Sequence, residues 1–334
     1  MISLPTRKNL LALALFSTLL GSAEAAVAAT AEQWTPNQPV EIVVSFAPGG
    51  AGDRLARALQ KIFQDRRLIQ TVLVANKPGG AGNVAWSYLE SREGRADHVA
   101  LITPTIMTNH ITGRSKYSHS DFTPIATLFS EDVVFTVQAR SLIKDWKDLV
   151  ARLKKDPSSV TLASTSREGS APLTFLMAIK EAGVDPRSVK LVIFGSAGQA
   201  LAAVLGGHAD VNLSTPEAIK GHLAGGAVRV LATSSQTRAS QGPLAGTPTL
   251  GELGASVSFK SWRAVIGPRN LTVPQIAYWD GVFSQMTATR EWSEELALQE
   301  AANEFRNSAE TRAYLRTQYD QLRAILTELG LAPK

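Results

Sequence analysis

Residues 47–53, which read Ala-Pro-Gly-Gly-Ala-Gly-Asp, form the segment of the chain best suited to binding an anion. The β-branched run at 40–46 predicts a strand immediately before them. Pro48 opposes continuation of that strand, and the glycines permit positive φ and close approach of a ligand. Asp53 is predicted to be the N-cap of a following helix. The unpaired N–H groups of such a helix start, together with its dipole, favour an anion.

The pattern does not match the common nucleotide-binding motifs. A phosphate-binding P-loop needs Gly-Lys-Ser/Thr after its glycines, where this chain has Asp53 and Arg54. The dinucleotide motif Gly-x-Gly-x-x-Gly is not completed by residues 50–52. A small carboxylate suits the loop better because it needs only a few N–H donors and no metal. A tight strand-to-helix turn that binds nothing is the alternative, and this segment alone does not decide between them.

Residue patterns that would indicate catalysis are missing from the sequence. The turn at 195–198, Gly-Ser-Ala-Gly, is not the Gly-x-Ser-x-Gly elbow of a hydrolase. No pair of carboxylates is spaced for acid–base work. Metal-ligand spacing is also absent from the five histidines, which stand at positions 98, 110, 119, 208 and 222. We therefore predict no catalytic residue, no metal and no cofactor, with an exported hydrolase as the less favoured alternative.

Composition indicates a globular protein of about two domains. The chain has 334 residues, of which 44% are hydrophobic and 19% charged. Its net charge of +5 is mild, and long Lys/Arg runs are absent. These features exclude a nucleic-acid-binding module and favour anionic ligands only weakly.

The N-terminal residues are typical of a secretory signal peptide. Arg7 and Lys8 precede an apolar run at 10–20, and Ala23-Glu24-Ala25 forms an A-x-A cleavage site. We assign residues 1–25 to the signal, with cleavage as late as residue 29. The chain contains no cysteine, so it has neither disulfides nor a lipid-attachment cysteine. The prediction is a periplasmic protein.

Strands and helices alternate along the rest of the chain. Predicted strands at 40–46, 71–75 and 98–103 are separated by helices, and a second Pro-Gly-Gly loop stands at 78–83. The alternation restarts after residue 145 with a third glycine turn at 195–198. We predict an α/β fold of two lobes, each a mainly parallel sheet flanked by helices, with the ligand cleft between them. Lobe 1 is assigned residues 34–137 and 260–334, and lobe 2 residues 138–259.

Six stretches of the sequence resemble the substrate-binding receptors of the tripartite tricarboxylate transporters, the Bug-type periplasmic solute-binding proteins. They occur in the order typical of that family, from about residue 35 to the C-terminus. The paired motifs PGGAGD and PGGAGN carry most of the similarity. The stretches are residues 40–53, 72–83, 121–126, 206–210, 219–232 and 247–254.

The resemblance implies a hinge-closing receptor that hands a small acid to a large and a small membrane subunit. It also implies that backbone N–H groups hold the carboxylate at the first glycine loop, with groups of the other lobe completing the site. We expect no nucleic acid partner and a monomer. The residues carried over are Ala47, Pro48, Gly49, Gly50, Ala51, Gly52, Asp53, Thr165, Ser166, Arg167, Gly169, Ser170, Ser196, Ala197, Gly198, Ser214 and Thr215.

Local details are similar to the branch that takes tricarboxylates, namely the stretches 198–201 and 261–268. They favour citrate or a related acid as the ligand. Arg167 departs from the small residues usual in its loop and can form a fork with a second ligand carboxylate. Pairing of Arg167 with Glu168 or with solvent is the alternative. A role as the loaded input to a membrane sensor kinase is also open, since it needs only a closed, liganded form.

Overall fold

The computed structural model describes residues 34–257 and 259–332. The predicted signal peptide lies outside them. Residues 36–334 form one compact unit that contains two β-sheets. Within the described residues, no helix combines the length and the apolar character needed to cross a bilayer.

The first sheet has six strands in the order β11-β4-β10-β3-β1-β2. β1 runs parallel to β2 and β3, while β10 is antiparallel to β3 and β4, and β11 is antiparallel to β4. The sheet is therefore mixed, with two parallel and three antiparallel strand pairings, whereas the sequence predicted a mainly parallel sheet. Its strands are β1 (Val40–Val44), β2 (Val72–Asn76), β3 (His98–Ile102), β4 (Thr123–Glu131), β10 (Ser261–Gly267) and β11 (Ala302–Arg306).

The second sheet has five strands in the order β7-β6-β8-β5-β9. β6 is parallel to β7 and β8, and β5 is antiparallel to β8 and β9. The two sheets thus share one plan, in which three parallel strands are followed by antiparallel strands. The strands are β5 (Val134–Gln138), β6 (Thr161–Ser164), β7 (Lys190–Ile193), β8 (Val211–Ser214) and β9 (Val228–Thr233).

Ten α-helices are present in the described residues, and most cover the faces of the sheets. The longest, α10, begins with a capping box in which Asn307 accepts from Glu310 N–H and Glu310 accepts from Asn307 N–H, both at 3.0 Å. The helices are α1 (Ala51–Asp65), α2 (Asn83–Glu90), α3 (Thr105–Ile111), α4 (Trp146–Lys155), α5 (Ser170–Glu181), α6 (Ala197–Leu205), α7 (Pro216–Ala224), α8 (Val273–Thr287), α9 (Arg290–Gln299) and α10 (Ser308–Glu328).

The chain crosses from the first sheet to the second between Glu131 and Val134, and it returns between β9 and β10. Val134 pairs with β8 and β9, so β5 belongs to the second sheet. The predicted range 34–137 had included this strand in lobe 1. An apolar run does not reveal which sheet it joins, because that depends on partners distant in sequence. Strand β11 was not predicted, since only two of its five residues are hydrophobic.

Aromatic side chains anchor the core beneath the second sheet. The ring centroids of Phe135 and Phe175 lie 5.4 Å apart, and Trp146 lies 5.5 Å and 5.6 Å from them. Helix α10 adds Leu315, Leu322 and Leu326 to the same apolar cluster, and all three are fully buried. One apolar cluster includes residues of both sheets, so the two halves are packed together.

His119 lies against α10 and gives the fold a testable pH dependence. Its ring centroid is 5.2 Å from that of Tyr319, whose hydroxyl is 2.8 Å from His110 Nδ1. Burial lowers the pKa of His119 to about 4, with a further lowering by His110, opposed by nearby Asp121 and Asp320 and reinforced by Arg316. The folded protein therefore holds this imidazole neutral where an unfolded chain protonates it.

We expect stability to fall as pH decreases from 6.5 to about 4, because the unfolded state binds more protons in that window. His119→Gln should reduce this slope, as measured by urea unfolding at closely spaced pH values. The exposed His208→Gln is the matched control. An equal slope in wild type and His119→Gln would contradict the assignment.

Candidate functional site

The first glycine loop joins β1 to α1 and differs in one detail from its prediction. The N-cap is Gly50, with extended backbone angles and no capping side chain, and the helix begins at Ala51. Asp53, predicted to be the N-cap, is the third residue of the helix. Gly49 has φ of +80°, a conformation that side-chain-bearing residues rarely adopt. Helix α1 therefore begins three residues earlier than predicted, because the positive φ of Gly49 turns the chain before Asp53 is reached.

Asp53 holds the loop from inside the helix. Its side chain is almost completely buried, and Oδ2 accepts from Gly49 N–H at 2.9 Å and from Arg57 Nε at 3.0 Å. The hydrogen bond from Arg57 is the largest effect on the pKa of Asp53, which lies below its usual value despite burial. The carboxylate is thus ionised and bound within its own loop, which suits a structural role better than that of a general base.

The N–H groups at the start of α1 precede the first intrahelical hydrogen bond. That bond runs from Arg54 N–H to Gly50 O at 3.0 Å. The N–H groups of Ala51, Gly52 and Asp53 come before it and point out of the helix start. Asp53 Oδ2 is directed to Gly49 rather than to these groups. The start of α1 therefore has three N–H donors that the helix itself does not use.

The second glycine loop braces a neighbouring segment. Asn83, at the start of α2, donates through Nδ2 to Gly80 O at 2.6 Å and to Arg114 O at 3.2 Å. Ser115 Oγ donates to Asn83 Oδ1 at 2.7 Å. A Cβ on Gly82 would lie 2.5 Å from Trp86 Nε1, so a side chain at that position would clash. The Asn of PGGAGN thus fixes the backbone that carries Arg114.

The predicted residues of the second sheet lie after the ends of its parallel strands. Thr165, Ser166, Arg167, Gly169 and Ser170 lie between β6 and the first residue of α5. Thr165 and Arg167 are exposed, and Arg167 has no hydrogen bond or ion pair within the described residues. The proposed Arg167–Glu168 pair is not formed, because Glu168 pairs with Arg114.

Ser196 and Ser214 stand at two further helix starts. Ser196 is the N-cap of α6, and its Oγ accepts from Gln199 N–H at 3.2 Å, with Ala197 and Gly198 in the first turn. Ser214 ends β8, and its Oγ accepts from Asn212 Nδ2 at 2.8 Å, which leaves its hydroxyl hydrogen free to donate. Thr215 follows as the N-cap of α7.

Two ion pairs bring the predicted loops of the two sheets together. Arg54, beside the first glycine loop, lies 2.6 Å from Glu217 at the start of α7. Arg114, held by the second glycine loop, lies 2.7 Å from Glu168 in the loop before α5. The first pair thus links the first glycine loop to the start of α7. The second links the segment held by Asn83 to the loop before α5. The turn at 195–198 makes no hydrogen bond or ion pair with the first sheet's loops among the described residues.

Sequence reasoning missed five residues of this arrangement. Arg54 adjoins the first motif, but its partner is 163 positions away and no local pattern links them. Asn212 alternates with Ser214 along β8, so the strand period gave the one available signal. The missed residues are Arg54, Arg114, Glu168, Asn212 and Glu217.

No catalytic or metal-binding constellation accompanies these loops in the described part of the chain. His98 Nδ1 lies 3.0 Å from Asp97 Oδ1, but no hydroxyl group hydrogen-bonds to His98 there. A group of three or more His, Cys, Asp or Glu side chains able to hold a metal is likewise not found among the described residues. These loops supply N–H and hydroxyl donors.

Comparison with known proteins identifies the family. The family model described as "Tripartite tricarboxylate transporter family receptor" matches residues 55–331. The chain belongs to this family. BugT of Bordetella pertussis is 23% identical over 95% of this chain and 97% of its own length. The receptor family was therefore predicted correctly from the two glycine motifs.

Solved structures support the same fold. Rpa4515 of R. palustris, with adipate, has a TM-score of 0.80 and 21% identity, covering 90% of this chain and 99% of that one. MatC of Rhodopseudomonas palustris, with bound malate, has a TM-score of 0.76 and 19% identity, covering 87% of this chain and all of that one. The two-lobed α/β fold is confirmed. The protein is a solute receptor and not an enzyme, and receptors of this family are periplasmic.

Asp53→Asn tests how the receptor holds its first glycine loop. We expect it to lower the free energy of unfolding by about 1–3 kcal/mol at pH 7, because a buried charged acceptor for Gly49 and Arg57 is lost. Since the pKa of Asp53 is depressed, the difference should persist down to pH 5 and shrink only below 3.8. Urea unfolding measures it.

Asp65→Asn is the control, because it removes a surface pair with Lys61 in the same helix. It should change stability by less than about 0.5 kcal/mol. A similar small loss in Asp53→Asn would mean that the loop holds itself without the carboxylate.

Proposed function

We propose that the receptor captures a small di- or tricarboxylic acid between its two sheets and delivers it to a tripartite membrane permease. One observation carries the proposal. It is the 2.6 Å ion pair between Arg54, which directly follows the first glycine loop, and Glu217, two residues after Thr215, and it supports a site shared by these two segments. Donors on two fixed loops lose little conformational entropy when they bind a carboxylate.

The balance of charge around the first glycine loop supports an anionic ligand. Asp53 is in the same helical turn as the free N–H groups, and its charge is offset by Arg57 and by Gly49 N–H. Glu217 is offset by Arg54. The helix dipole and the remaining N–H donors then act on the ligand without an opposing unpaired carboxylate.

Groups on the second sheet are suited to the rest of the acid. Ser214 has its hydroxyl hydrogen free, and Thr165 and Ser166 lie in the exposed loop after β6. Arg167 is exposed and unpaired in the described structure, so its guanidinium is available for a second carboxylate. These contacts, like the whole residue set carried over from the sequence, form part of the proposal.

The ligand class is proposed from two lines of support. The sequence details at 198–201 and 261–268 resemble the tricarboxylate branch and favour citrate. The similar structures Rpa4515 and MatC contain adipate and malate, which are dicarboxylates. We propose citrate as the first candidate within a class that includes these dicarboxylates.

Lobe closure and delivery complete the proposal. We divide the lobes where the chain crosses between the sheets, near residues 132–133 and 234–260. The first boundary therefore replaces residue 137, which the sequence had suggested as the end of the first part of lobe 1. The receptor acts as a periplasmic monomer after removal of its signal peptide. Its partners are the large and small membrane subunits, which we favour over a sensor kinase because the family is one of transporter receptors.

A thermal-shift panel followed by calorimetry tests this function. The panel contains citrate, tricarballylate, cis-aconitate, malate, adipate, amino acids and aromatic acids. We expect di- or tricarboxylates to raise the unfolding temperature and to bind with a measurable Kd. Stabilisation by none of the acids would reject the proposal, and stabilisation by amino acids alone would replace its ligand class.

Gly50→Val tests the position of the carboxylate. Gly50 has φ of −77°, and a Cβ there would lie no closer than 3.4 Å to its nearest neighbour, Ala47 O, so the fold should tolerate valine. The side chain should fill the space in front of the N–H groups and weaken affinity at least about tenfold, a change of about 1.4 kcal/mol. Calorimetry with the best acid of the panel measures it.

Gly281→Val is the matched control, since Gly281 lies in α8 and a Cβ there has no neighbour within 4 Å. It should bind as the wild type does. Unchanged affinity in Gly50→Val would remove the first glycine loop from the site.

A further inference from the structure

Two arginine–glutamate pairs join the sheets at the loops proposed to bind the ligand. Arg54 Nη2 lies 2.6 Å from Glu217 Oε1, and Arg114 Nη1 lies 2.7 Å from Glu168 Oε2. In each pair the arginine belongs to the first sheet's side and the carboxylate to the second. Separation of the two lobes would therefore break both pairs.

Each arginine is fixed by one of the glycine motifs. Arg54 Nη1 donates to Gly49 O at 2.8 Å, inside the first motif. The backbone carbonyl of Arg114 accepts from Asn83, the last residue of the second motif. The Arg54 guanidinium and the Arg114 backbone are thus held by the glycine motifs, which lowers the entropy lost when each pair forms.

Each carboxylate lies at the start of a helix in the half of the protein that contains the second sheet. Glu217 is in the first turn of α7, where the helix dipole favours negative charge. Glu168 directly precedes Gly169, the N-cap of α5, and 7% of its side chain is exposed. Within the described residues, Arg114 is the hydrogen-bond partner of Glu168. A buried carboxylate whose partner is on the other lobe favours the joined arrangement.

We propose that Arg54, Glu217, Arg114 and Glu168 form a latch that favours the joined state of the lobes before ligand binds. The four are positioning residues, which set ligand affinity without contacting ligand. The affinity part of this inference rests on the proposed function, whereas the latch itself does not. Two other ion pairs, Lys180–Glu328 and Lys220–Glu300, also join the halves, but their lysines lie within helices α5 and α7 and not at a glycine motif.

The energetic effect is moderate because solvent reaches three of the four side chains. Arg54 and Arg114 are about half exposed, and Glu217 is one-fifth exposed. A solvent-exposed ion pair is worth about 0.2–1 kcal/mol, so the two pairs together shift the equilibrium between joined and separated lobes about two- to thirtyfold. Because ligand binds the joined state, its apparent affinity falls with the fraction of molecules in that state, and the shift in the equilibrium sets the upper limit of the loss.

Spin-label distances in the ligand-free protein test the latch directly. The natural chain has no cysteine, so labels can be introduced at Leu142→Cys and Val273→Cys, which are 81% and 80% exposed and belong to different halves. We expect a narrow distance distribution in this labelled parent. Adding Glu168→Gln and Glu217→Gln should broaden it and add longer distances.

The control variant is Glu291→Gln, which removes an exposed pair with Arg66 that lies wholly within the first sheet's half. It should leave the distribution unchanged. Arg114→Gln should broaden the distribution, while Arg114→Lys, which retains the charge, should restore most of the narrow population. The latch is refuted if the distance distribution of the Glu168→Gln/Glu217→Gln variant matches that of its labelled parent. It is also refuted if the distribution of the parent is already broad.

Calorimetry with an acid that binds the wild type supplies the second readout. The Glu168→Gln/Glu217→Gln protein should bind more weakly, by up to about thirtyfold. Tighter binding would overturn the latch and show instead that the glutamates compete with the ligand for the arginines. If no acid binds the wild type, the proposed function fails while the spin-label distances still decide the latch.

Discussion

The structure depends on keeping the N–H groups at the start of α1 free of internal partners. Three features act together there. Gly49 takes a positive φ that turns the chain, Asp53 binds the Gly49 N–H from within the helix, and Arg57 balances the Asp53 charge. If the carboxylate capped the helix instead, as its position first suggested, it would occupy the donors that an anion needs. Placing the acid three residues into the helix makes the loop rigid and leaves its donors available.

The crossing segments determine how those donors meet the second sheet. Glu131 and Arg263 form a buried ion pair where β4 and β10 adjoin the crossing, and burial raises the pKa of Glu131 while Arg263 opposes the rise. On the adjoining residues, Val133 N–H donates to Ser234 Oγ at 2.9 Å. The two crossing strands are thus tied by polar contacts as well as apolar packing. Such contacts restrict the relative positions of the two sheets at the crossing.

Local patterns in the sequence predicted the parts of the fold that are local in origin. The strand–loop–helix units around residues 47–53 and 78–83 follow from glycine, proline and apolar periodicity, and the family follows from the two motifs together. The assignment of β5 to a sheet depends on pairing with Ser214 and Thr233, which no local pattern encodes. Strand β11 was missed because its sequence, ANEFR, is mostly polar and its edge position lets those side chains face water.

The same division applies to the site. Glycines between a strand and a helix start indicate a turn with exposed N–H groups, whereas no local pattern indicates the arginine–glutamate pairs that link the two sheets. A receptor must also release what it captures, and this requirement favours contacts of modest strength across the cleft. Fully buried ion pairs would hold the lobes by several kcal/mol or cost as much in desolvation. Half-exposed arginines such as Arg54 and Arg114 contribute less to holding the two sheets together.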